Sequence, residues 1–255
     1  MQSRDDYQNC AALYDLLFSR ALRAIRTNIC TFTRHCRAQN IIDLCCGTGE
    51  QLRMLSCDNV RLTGVDISPA MLARARRQGP ESIHYLEADA SRLPFPDASY
   101  DAIIISFALH EKTARQHTAI FQEACRLLRA DGHIIIADYS QTPYGLSPLL
   151  LGKIIIPAIE RLAGMNHYHN YRDWMKNGAL KGFLERENPG KTILIAPHFF
   201  GCTRLCAASQ VKENPLQASL NTIQNHSQTI KQSPFTLPLN KAKAAQTRGQ
   251  RTPDP

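Results

Sequence analysis

The residues of this 255-residue chain best placed to do chemistry are two glycines and a small set of carboxylates and histidines. Residues 41–55 read IIDLCCGTGEQLRML, and Gly47 and Gly49 form a small-residue turn between an apolar strand pattern and a helix start at Glu50. Free backbone N–H groups there meet the positive end of a helix dipole. Glycine has no side chain to keep a ligand off that backbone. Asp66, in GVDIS, follows nineteen residues after Gly47. A carboxylate at that separation accepts both hydroxyls of a ribose, which implies an adenosine-type cofactor. A dinucleotide fingerprint would need a third glycine where Leu52 stands, so a nicotinamide cofactor is disfavoured. Asp89 ends the third strand pattern, placed to accept from an adenine amino group while the Ala90 N–H donates to the ring. His110 and Glu111 follow the fourth, where either could take a proton from a bound acceptor. The plainer reading is that His110 satisfies a loop and Glu111 opens a helix.

These residues need a sheet to hold them. Apolar β-rich runs at 40–44, 61–67, 82–87, 101–107 and 133–139 alternate with helical patterns, as in a parallel sheet covered by helices on both faces. Triplets such as Ile103–Ile105 and Ile134–Ile136 suit strands buried on both sides. Ser68 and Pro69 read as an N-cap and first-turn proline, and Thr113 with Gln116 as a capping box. The helix after Thr113 is expected to face the sheet with Ala114, Thr118, Phe121, Cys125 and Leu128, and to stop at Gly132. Residues 5–37 are expected to be helical and to cap the domain as a leading segment, 1–39. A helical insertion over 144–186, two helices broken at GMNHYHN, is expected before a last strand pair at 191–199 and 201–208. Tyr14, His167, Tyr168 and Tyr171 are candidates to line an acceptor pocket, with Tyr7 beside Tyr14, although core packing accounts for such residues equally simply.

Composition narrows the class. With 44% hydrophobic and 20% charged residues the chain is globular. Its most apolar stretch, 146–159, is interrupted by Lys153 and Pro157 and is too short to span a bilayer. That stretch reads as a cap over a cavity or as a weak membrane-surface contact. Nine cysteines, mostly within apolar runs, and a start lacking a basic, then apolar, leader point to reduced thiols in the cytoplasm. They show no paired metal-ligand spacing, so no metal site is expected. Half of the net charge of +8 lies in residues 210–255, which are poor in apolar residues and read as a disordered basic tail following a domain over 40–209. No nucleic-acid partner is expected.

The ordered segments DLCCGTG, GVDIS, EADASRLPFPDASYDAIIISFALHE and RLLRADGHIIIADYS resemble the class I S-adenosylmethionine-dependent methyltransferases. Within these, the small-molecule type that includes the quinone-biosynthesis methyltransferases is the most similar. The resemblance covers about residues 40–140. It implies a Rossmann-like α/β fold with a seven-stranded, mostly parallel sheet whose last strand is antiparallel. It also implies S-adenosylmethionine as cofactor and a small-molecule methyl acceptor. By position, Asp43 would sit near the methionine amino group, and Cys45, Gly47, Thr48 and Gly49 would line the methionine. Asp66 would hold the ribose, Ile67 and Met71 would pack near the adenine read by Asp89 and Ala90, and Ser106 and Phe107 would flank the sulfonium. Cys45 stands where this family more often has glycine. A catalytically silent cofactor-binding regulator is one rival. An RNA or protein methyltransferase is another, disfavoured because SFALHE replaces the NPPY-like run of amino-group methylators.

Overall fold

The computed structural model describes residues 11–56, 59–141, 145–188 and 190–209, with side chains from Leu22 onward. The chain divides into Met1–Lys212 and Glu213–Pro255, and every described residue belongs to the first unit. The expected disordered tail therefore lies outside the described residues, as do Tyr7 and the side chain of Tyr14.

Seven strands, β1 (Asn40–Leu44), β2 (Arg61–Asp66), β3 (Ile83–Glu87), β4 (Tyr100–Ser106), β5 (Leu128–Tyr139), β6 (Lys191–His198) and β7 (Thr203–Ser209), form one sheet in the order β3-β2-β1-β4-β5-β7-β6. The first five run parallel, and β7 is antiparallel to both β5 and β6. Because successive side chains point to opposite faces, the isoleucine triplets feed two cores. Ile103, Ile105, Ile134 and Ile136 face one layer, and Ile104 and Ile135 the other. The second layer holds α1 (Ala11–His35), α2 (Glu50–Leu55) and α3 (Pro69–Gln78). The described part of α1 is thus part of the sheet's own covering layer, through Leu22, Ile25, Ile29 and Phe32.

The opposite layer holds α4 (Ala114–Leu127) and the helices of the insertion. Thr113 and Gln116 make the expected capping box, and Ser68 caps α3 ahead of Pro69. The stripe on α4 is displaced from the expected one. Its buried residues are His117, Ile120, Phe121, Glu123, Ala124 and Leu127, while Ala114 is exposed. Two polar residues sit on that face with dedicated partners: His117 Nε2 lies 2.7 Å from the Leu109 carbonyl, and Glu123 accepts from the Leu93 N–H at 2.7 Å. The helix also stops before Gly132, because Leu128 already pairs with Tyr100 and the register shifts before His133 meets Ala102.

The insertion comprises α5 (Leu146–Leu150), a π turn (Leu151–Ile155), α6 (Ile156–Ala163), α7 (Met165–Lys176) and α8 (Ala179–Glu187). GMNHYHN is not a break; only Gly164, at φ 132°, interrupts the chain, and α7 begins at the next residue. The π turn lies just ahead of Pro157, whose ring cannot donate to or pack against a regular preceding turn.

Candidate active site

The turn after β1 is built from left-handed backbone. Cys45, Gly47 and Gly49 have φ of 60°, 54° and 72°. Glycine adopts this region freely, whereas Cys45 carries strain there. The two glycines serve different purposes. A Cβ on Gly49 would lie 2.3 Å from the Tyr85 hydroxyl, so that side of the turn is packed shut. A Cβ on Gly47 would meet nothing within 4 Å, so that side is open.

Two carboxylates lie close to this turn and act on its cysteines. Asp66, at the end of β2, accepts from the Gly47 N–H (2.8 Å) and the Ser68 N–H (2.9 Å). Each oxygen keeps a further lone pair for a ligand hydroxyl. Burial raises its pKa, opposed by those two N–H groups. Asp43, paired in register with Gly64 and Ile104, is buried and accepts no hydrogen bond from a described residue. Burial and the nearby Asp66 charge push its pKa up to about 8 against the pull of Arg26. A buried carboxyl that no described residue hydrogen-bonds, near an open glycine turn held by a second carboxylate, fits a ligand carrying an ammonium and a ribose, as S-adenosylmethionine does. Thr48 is buried in the turn, and its carbonyl accepts from the Arg53 guanidinium at 2.6 Å. Around this centre Ile67 is 52% exposed, an apolar side chain left in water at the rim. Met71 is half-buried on the first turn of α3. Asp89 is exposed, turned onto the Ser91 N–H at 2.9 Å, beside buried Ala90. Ser106 and Phe107 are half-buried, and Phe107 sits at φ 52° with its N–H on the Ala137 carbonyl at 2.7 Å.

The edge beyond β4 is different. His110 is buried with its Nδ1 2.8 Å from Asp138 and its Nε2 3.6 Å from Glu160 of α6. Asp138, at the end of β5, also accepts from the backbone N–H groups of Leu109, His110 and Tyr139. The Tyr139 hydroxyl donates to Glu160 at 2.9 Å, and its ring packs edge-on against His110, with centroids 4.6 Å apart. Burial alone would lower the imidazole pKa, but the charge and hydrogen bond of Asp138, then Glu160 and Glu111, raise it to about 9. The surrounding carboxylates thus favour the charged imidazole.

Glu111 joins Lys112 at 2.5 Å and His167 at 3.4 Å, and its carbonyl accepts from the Asn170 amide. Lys112 and Glu111 act electrostatically on both Cys45 and Asp66, which places them on the same cleft. Tyr168 and Tyr171 make their described contacts elsewhere. Tyr171 is buried behind Tyr139, and Tyr168 lies under Arg161, 4.6 Å from its ring centroid. Trp174 is core, donating to the Tyr139 carbonyl. Sequence reasoning missed Lys112, Asp138, Tyr139 and Glu160; the signal for Glu160 was a lone acid within an apolar helix pattern. Among the described residues no group of three His, Cys, Asp or Glu is placed to hold a metal ion, and no helix is long and apolar enough to cross a membrane.

Comparison with known proteins matches residues 41–132 to the family described as "Methyltransferase domain". This stretch is a methyltransferase domain. The methyltransferase domain is 30% identical over 145 residues to the demethylmenaquinone methyltransferase of Beutenbergia cavernae, covering 53% of this chain and 59% of that protein. It is 32% identical over 109 residues to the 27-O-demethylrifamycin SV methyltransferase of Amycolatopsis mediterranei, covering 40% and 39%. The chain thus spans 59% of the first of these relatives' length and 39% of the second's. A solved structure from Methanococcus maripaludis, titled a putative S-adenosyl-L-methionine-dependent methyltransferase, covers 84% of this chain and 97% of its own. It has a TM-score of 0.57 at 15% identity, and so shares the fold of the methyltransferase domain.

Proposed function

We propose that the protein transfers a methyl group from S-adenosylmethionine to a small-molecule acceptor, in the cytoplasm. The observation that carries this reading is the open face of Gly47, whose N–H is held by Asp66, in a turn that the Asp43 charge also reaches. When bound, the cofactor supplies a methyl group already activated on a sulfonium. The chain's task is to align the acceptor and keep water out. Asp43 meets the ammonium, Asp66 holds the ribose, and Ile67, Met71, Asp89 and Ala90 frame the adenine. Cys45, Thr48, Gly49, Ser106 and Phe107 shape the space around the methionine. On the acceptor side His110 is a positioning residue whose retained proton ties β5 to α6 through Asp138 and Glu160. Glu111, which meets Lys112 and His167, takes the acceptor proton where the reaction requires one.

The names of the two relatives favour a hydroxylated ring system, quinol or polyketide-like, as the acceptor class. The test is methyl-labelled S-adenosylmethionine incubated with the protein and a demethylmenaquinol analogue, a phenolic macrolactam or bulk RNA. Label in either small molecule is the expected result. Label in RNA alone, or cofactor binding with no transfer to any acceptor, would overturn the reading in favour of a nucleic-acid enzyme or a silent binder.

A further inference from the structure

Residues 146–163 form one continuous helical run whose apolar side is turned outward. Leu146, Leu150, Ile154 and Leu162 are between 49% and 85% exposed and recur at multiples of four, and Leu149 and Ile155 beside them are also exposed. The inward row, also at spacing four, is Gly152, Ile156 and Glu160. In a uniform α-helix each step of four residues rotates about 40°, so such rows would wind around the axis. The π turn at Leu151–Ile155 has more residues per turn and cancels part of that drift, holding the outward row to one side. Charge on the run is one-signed at the surface: Lys153 and Arg161 are exposed, while its single acid, Glu160, is turned in to Tyr139 and His110. Next to α5, Cys202 Sγ donates to the Pro148 carbonyl, and the turn before it holds Phe200 out at φ 56°, 69% exposed.

We infer that the outer face of α5–α6 docks on an anionic lipid bilayer. An outward aliphatic row flanked only by cations is the pattern of a helix lying in a membrane interface. Anionic headgroups complement Lys153 and Arg161. A second copy of the same face would instead oppose like charges with no acid to pair them. Through Glu160 and the Gly152 carbonyl, which accepts from Tyr171, the inner side of the same run bears on the acceptor edge. A lipid-soluble acceptor would therefore leave the bilayer beside the site. The docking itself does not depend on the methyltransferase reading.

The test is co-sedimentation of the full chain with vesicles of phosphatidylcholine alone or mixed with phosphatidylglycerol. S-adenosylhomocysteine binding, measured in parallel, reports folding and the cofactor site separately. Binding to the mixed vesicles, weakened by salt, is expected. The triple variant Leu150→Ser, Ile154→Ser, Leu162→Ser should lower it about tenfold or more, as three large aliphatic side chains no longer leave water. Lys153→Glu with Arg161→Glu should lower binding to the mixed vesicles and is the arm to read if the triple variant fails to fold. Both variants keep the basic residues 210–255, so a loss reports the helix. No vesicle binding, binding unchanged in a folded variant, or a dimer that the triple variant dissociates would overturn the inference.

Discussion

Around Gly47 the cleft takes its shape within a few residues of chain, whereas around His110 it takes side chains from three separate elements. The cofactor edge needs a strand end, left-handed backbone at three positions in five and one carboxylate from the next strand. The acceptor edge needs Asp138 from β5, Glu160 from α6 and His167 from α7 to meet His110 and Glu111. One edge is set mainly by backbone geometry over a few residues. The other is a buried ionic network that is costly to leave half-made.

The largest expected effect follows from breaking that network. Asp138→Ala removes the acceptor for three backbone N–H groups and leaves the buried imidazolium beside Glu160 alone. It should destabilise the domain by about 3–5 kcal/mol in denaturant unfolding. A loss below about 1 kcal/mol would show that the acceptor edge is no more demanding than the cofactor edge.

Proton linkage distinguishes the two edges next. At pH 7 Asp43, with its pKa near 8, is largely protonated, and a bound ammonium would lower that pKa. Binding of S-adenosylhomocysteine should then release close to one proton, seen by calorimetry in buffers of different ionisation enthalpy, and Asp43→Asn should abolish the release. On the other edge, His110 has a folded pKa of about 9, above the ordinary histidine value of about 6.5. Its contribution to stability is complete below that ordinary value and is lost as pH rises through 9. Thermal melts from pH 7 to 10 should show this decline together with that of the buried thiols of Cys36, Cys45 and Cys206, whose raised pKa values add their own loss above about pH 9, and His110→Gln should make the slope between pH 7 and 9 shallower. Smallest of all, Cys45→Gly should relieve left-handed strain but free the unfolded chain, for a net gain of about 1 kcal/mol or less and intact cofactor binding.

The same contrast explains what the sequence discloses. The boundaries of β1 to β4, the capped starts of α3 and α4, the turn at Cys45–Gly49 and Asp66 are legible because each is set by neighbours in the chain. The face of α4 was misplaced because His117 and Glu123, polar by type, are buried with partners elsewhere. The early start of β5 is hidden by the register shift after Leu128. Asp138 and Glu160 carry no local mark of their roles, since His110 lies 28 residues from one and 50 from the other along the chain. Tyr168 and Tyr171 have the right chemistry for a pocket but are taken by Arg161 and Tyr139.

The central claim, that the Gly47 turn with Asp43 and Asp66 is a cofactor seat, is tested most directly by titrating S-adenosylhomocysteine into the protein and its Asp66→Ala variant. The account predicts saturable binding to the native chain. Losing two charge-assisted hydrogen bonds, at about 1.5–3 kcal/mol each, should weaken the variant by about a hundredfold or more. No binding to the native protein, or equal affinity in the two, would contradict it.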